Sequence, residues 1–144
     1  GKVFLGGYSF NPETMEENYY EGIEFTSRPA AVNGNYHFTP SPTDLNDCAK
    51  VTVEVCGIID GQEKAIASNS MELPAALTYT AFTVPLSYKY FGVKATRLKI
   101  MLSSSKYTGT IEYESSKIKT YSDPEKATSI GGQLWVEDLQ LSYF

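Results

Sequence analysis

The chain has 144 residues, 42% of them hydrophobic and 20% charged, with a formal net charge of -5. That length fits one domain, residues 1–144, which buries roughly two-thirds of its unfolded surface without metal or disulfide staples. The acidic balance excludes a nucleic-acid binder, which starts from a basic stripe, and speaks against an anionic membrane surface; no apolar run reaches the length of a membrane span.

In chain order, nearly every element reads as a short strand between turn signals. "KVFL" is a first candidate, and "GIEF" follows a loop rich in Asn, Pro and Glu that carries Tyr19 and Tyr20. "NYHFT" starts after the turn dipeptide Asn33-Gly34 and stops at Pro40. "KVTVEVCGII" alternates at Val51, Val53 and Val55, and Asp60-Gly61 then marks a hairpin turn that returns as "KAIAS". "YTAFTVPL" and "TRLKIML" are separated by a turn at Phe91-Gly92, and "QLWVEDLQLSY" closes the chain. Only "DPEKA" has the character of a helix start, worth one turn. Many short strands with frequent turns predict an all-β, antiparallel sandwich or barrel. The stretch 106–130 breaks this rhythm as a long, polar, tyrosine-rich insert, and reads as a surface hairpin or a functional loop.

Cys48 and Cys56 flank one predicted strand. An extended run of that length separates its ends by roughly 25 Å, far beyond disulfide reach, so both thiols are expected free and buried.

The last strand carries an anomaly. Leu134 and Val136 alternate, as do Leu139 and Leu141, but the two pairs are out of step at Glu137-Asp138. An odd spacing moves later side chains to the other face unless a β-bulge absorbs one residue, so a bulge is expected there. Either acid could be the extra residue. Trp135 lies out of phase with Leu134 and Val136 and faces away from the core. Its indole is placed either to stack on a sugar ring or to be covered by the insert.

Few residues form a chemical constellation. The sole histidine, His37, should project opposite Tyr36 and Phe38, and no Ser or Cys motif gives it a nucleophile to serve. Arg28, held extended by Pro29, is either a clamp for carboxylates and sugar hydroxyls or a structural bond to loop carbonyls. Tyr19, Tyr20 and Tyr107 are further candidate platforms for a ligand. Seventeen acids make some glycosidase-like carboxylate pair certain by chance, so such a pair carries no signal. No Cys/His metal cluster or phosphate-cradling glycine loop is present.

Taken together, Phe25, Arg28-Pro29, Tyr36-x-Phe38-x-Pro40, Ser103-Ser104 and the Trp135–Asp138 strand resemble the successive landmarks of the "putative carbohydrate metabolism domain" family of Bacteroidetes surface proteins. The resemblance spans about Gly22 to Tyr143; Glu137 replaces the family's Asp, and the insert after Ser105 is a departure. It implies a two-sheet jelly-roll sandwich, galactose-binding-like and similar to carbohydrate-binding modules, taken from a larger secreted or outer-membrane surface protein. No signal peptide is legible at the start of the sequence. Folds similar to this hold a structural calcium against an acid at the closing strand, which would make Asp138 a ligand; the alternative is an acid pair solvated or bonded to freed amides. The implied function is a non-catalytic domain binding a glycan or polysaccharide. The alternatives are a structural or adhesion module of a surface lipoprotein and, last, a glycoside hydrolase.

Overall fold

The computed structural model describes residues 2–42, 44–106 and 132–144. Its elements, in chain order, are β1 (Lys2–Phe4), β2 (Gly6–Asn11), β3 (Glu16–Glu21), β4 (Ile23–Glu24) and β5 (Ala31–Thr39), followed by β6 (Ala49–Ile59), β7 (Gln62–Leu73), β8 (Ala76–Pro85), β9 (Ala95–Ser103) and β10 (Gln133–Ser142). Every pairing is antiparallel, and no helix occurs among the described residues. The larger sheet runs β1-β9-β6-β7, with β4 also paired to β9; the smaller runs β10-β5-β8. β2 and β3 form a separate hairpin that leaves the edge of the larger sheet between β1 and β4. Leu5 closes its base, donating its amide to Ile100 and accepting that of Gly22.

The two sheets meet through period-2 patterning. Val51, Val53 and Val55 of β6, with Leu98 and Ile100 of β9, enter the core from one side. Val32, Tyr36 and Phe38 of β5, with Phe82 and Val84 of β8, enter from the other. All belong to one buried cluster, so the molecule is a sandwich. Tyr36 and Phe82 meet edge to face at 6.0 Å, and the Tyr36 hydroxyl donates to the carbonyl of Pro74, which satisfies the one polar atom this ring carries inward.

The hairpin turn at Asp60-Gly61 is confirmed, with positive φ at both residues (53° and 77°) as a two-residue turn matched to strand twist requires. Two local expectations are corrected. Asn33-Gly34 is no turn but the middle of β5, and its glycine serves packing: a Cβ on Gly34 would come within 2.8 Å of the Phe82 ring. The segment around Tyr19 and Tyr20 is no loop but β3, where these residues pair with Tyr8 and Gly7. Both thiols are free and buried, as the strand spacing requires. The insert beyond residue 106, including "DPEKA" and the proposed hairpin, lies outside the described residues.

Candidate functional site

The site is the outer face of β10-β5-β8. Residues opposite one another on antiparallel strands project to the same side, so each register pair is one rung of this face. The first rung is Gln133 with Thr39. The second is Trp135 with His37. The third joins Glu137, Asn35 and Ala81, and the fourth joins Gln140, Asn33 and Thr83. Along β5 these residues alternate with the buried Val32, Gly34, Tyr36 and Phe38, which is why His37 faces outward although both its neighbours are core aromatics.

The second rung concentrates the apolar surface. The imidazole of His37 lies against the Trp135 indole with ring centroids 4.6 Å apart and planes only 17° from parallel. Tyr79 of β8 meets the same imidazole edge to face at 6.1 Å. One face of the indole is therefore covered by His37, and its other face turns away from β5. Trp135 remains 41% exposed and Tyr79 49% exposed. A contiguous exposed apolar patch is a candidate binding surface in a soluble protein.

The fourth rung keeps its parity because of the closing-strand bulge. Between the pairs Glu137↔Asn35 and Gln140↔Asn33, β10 spends Asp138 and Leu139 where β5 spends Gly34 alone. This is the extra residue expected from the sequence. Asp138 adopts the left-handed region, φ 53°, and so is the residue that makes the slip. Its carboxylate is exposed and accepts no hydrogen bond from the described residues. Leu134, Val136 and Leu141 pack on the core, whereas Leu139, expected to share their burial, is 40% exposed over Gly34. Calcium requires about six to eight oxygen ligands. Among the described residues no group of three His, Cys, Asp or Glu comes together, so carboxylates alone do not make up such a set around Asp138.

Arg28 lies elsewhere. Its guanidinium donates to the carbonyls of Val93 (3.3 Å) and Tyr90 (3.2 Å) and rests 4.4 Å over the ring of Tyr88. The Tyr88 hydroxyl in turn donates to Pro29 at 2.7 Å. Burial pushes this phenol up to about 12, against the opposing pull of the Arg28 charge. Arg28 thus braces both sides of the Phe91-Gly92 turn and is not brought to the Trp135 face. Tyr19 and Tyr20 belong to the β2–β3 hairpin, and Tyr107 lies outside the described residues.

Of the residues singled out from sequence, the face uses Trp135. His37 and Tyr79 were missed as its partners. The parity of His37 was legible, but the register that sets it beside Trp135 was not.

A hollow on the outer side of the larger sheet, lined by Phe4, Leu5, Glu54, Lys99 and Met101 among others, holds about 100 Å³. Small-molecule sites run to roughly 300–1,000 Å³.

The chain matches no family model and no curated relative. Among solved structures, its fold is similar to that of a Bacteroides thetaiotaomicron protein described as a "putative glycoside hydrolase", with a TM-score of 0.63 at 14% identity. The alignment covers 100% of this chain and 47% of that one, so this chain spans about half the length of its structural neighbour. At that identity the likeness is one of fold: an all-β sandwich shared with a carbohydrate-related protein.

Proposed function

We propose that the chain is a non-catalytic carbohydrate-binding module with a jelly-roll, galactose-binding-like sandwich, working at the cell surface or in a secreted protein and engaging a polysaccharide through the Trp135 face. The observation that carries this is the second rung, where indole, imidazole and phenol stand together, half exposed, on three adjacent strands. Apolar sugar faces stack on such rings, and the amides and hydroxyls of neighbouring rungs offer both donors and acceptors to sugar hydroxyls. The fold shared with a carbohydrate-related protein supports the reading by analogy.

A non-catalytic role is supported by the carboxylates. Glycoside hydrolysis takes two carboxyl groups flanking one bond, about 5–9.5 Å apart. Glu137 is the only acid on the four rungs.

Trp135 is the only tryptophan of the chain, so tryptophan emission, excited beyond the tyrosine absorption band, reports on this face alone. Titration with polysaccharides is expected to shift or quench the emission saturably. Trp135→Ala and Tyr79→Ala, in pull-down on insoluble polysaccharide, are expected to lose binding with melting temperatures within a few degrees of the wild type. Binding that survives both substitutions would place the site elsewhere. Release of reducing sugar, abolished by a single Asp or Glu substitution, would convert the reading to a hydrolase.

A further inference from the structure

We infer that the Trp135 face selects uncharged glycans and refuses uronate-bearing or sulfated ones; this rests on the carbohydrate-binding reading above. Anionic sugars are held by Arg and Lys, whose charged donors pair with carboxylate and sulfate oxygens. None of the rungs carries either residue. Two cations held in ion pairs are on the opposite sheet, where Arg97 bonds Glu63 at 2.9 Å and Lys99 meets Glu54 at 3.4 Å. Arg28 is spent on two loop carbonyls and the Tyr88 ring.

What the face offers instead is neutral or negative. Asn35, Gln133 and Thr39 flank the aromatic rung, and their amides and hydroxyl both donate and accept, as sugar hydroxyls do. Glu137 is exposed one rung from Trp135 on the same strand, roughly 7 Å along it. A uronate or sulfate stacked on the indole would meet that carboxylate with no counter-charge between them. The net charge of -5 adds a long-range field of the same sign.

The test is a Trp135 fluorescence titration at pH 8 with a panel of neutral polysaccharides (β-glucans, mannans, galactans, xylans) beside polygalacturonate and chondroitin sulfate. The expected result is a saturable response to at least one neutral polysaccharide, at an affinity that stays within twofold between 50 and 500 mM NaCl as a contact without ion pairs should. The two polyanions are expected to give no saturable response at tenfold higher concentration. Glu137→Lys is expected to make polygalacturonate bind. A saturable polyanion response in the wild type, lost in Trp135→Ala, overturns the selectivity and leaves the carbohydrate-binding reading standing. Refusal of polygalacturonate by a folded Glu137→Lys protein overturns the charge argument. Silence toward the whole panel overturns the carbohydrate-binding reading, and this inference with it.

Discussion

Asp138 illustrates how one residue can matter through its backbone conformation. A left-handed conformation costs most L-residues about 1–2 kcal/mol; Asp and Asn tolerate it, and Gly adopts it freely. With φ at 53° and an exposed carboxylate, Asp138→Gly is expected to melt at or above the wild-type temperature, and Asp138→Ala about 1 kcal/mol lower in stability. Glu137→Ala should lie within about 0.5 kcal/mol of wild type. Urea unfolding of the three variants checks this, and an equal loss for Gly and Ala would show that the carboxylate holds the bulge. Two protonated groups, one buried and one half-buried, make a second residue-level expectation. Burial, followed by a hydrogen bond donated to Glu54, raises the Cys56 thiol from 9.0 to about 11, and burial raises the Tyr88 phenol from 10.0 to about 12. Both groups hold their protons more tightly folded than unfolded. Their contribution to stability is therefore complete below about pH 9 and is lost as pH rises through about 11 and 12. Melting temperatures should fall across that window, and a thiol reagent at pH 8 should label Cys56 only after unfolding.

At the scale of elements, alternation made β6 legible, because Val51, Val53 and Val55 repeat a period that only one buried face explains. The same logic exposed the bulge in β10 from a single break in parity. It failed where a side chain from another strand decides the outcome. Asn33-Gly34 is a strong hairpin signal locally, yet Phe82 of β8 packs where a Cβ would be, and β5 runs straight through. Gly34→Ala is accordingly expected to destabilise by about 1–3 kcal/mol through overpacking, read by denaturant unfolding. Wild-type stability in that variant would mean that the Phe82 ring can swing aside. The β2–β3 hairpin was missed for a different reason. The Asn, Pro and Glu residues of that stretch read as loop, and no run of alternating aliphatic residues marks its two strands.

For the molecule as a whole, the all-β class was readable and the pairing of strands into two sheets was not. Far-ultraviolet circular dichroism should show less than roughly a fifth helix, against a soluble-protein average near a third. The candidate site was half legible for the same reason. Trp135 could be assigned outward by parity, while its neighbours depend on which strands adjoin β10 and in what register, information that a strand's own sequence does not contain. That placement has a consequence for how copies of the protein behave toward one another. Among the described strands β10 pairs only with β5, and a strand edge without a partner is a template on which a second chain could extend a sheet. The slip at Asp138 interrupts that template near its middle and sets Glu137 and Asp138 on it as two adjacent charges. Deleting Asp138 would leave Leu134, Val136, Leu139 and Leu141 in one unbroken alternation. The core would keep its residues, and the strand would become a straight, less charged edge. Such a deletion variant is expected to fold and bind as before, but to scatter light and accumulate sheet-rich aggregate on concentration where the wild type stays clear.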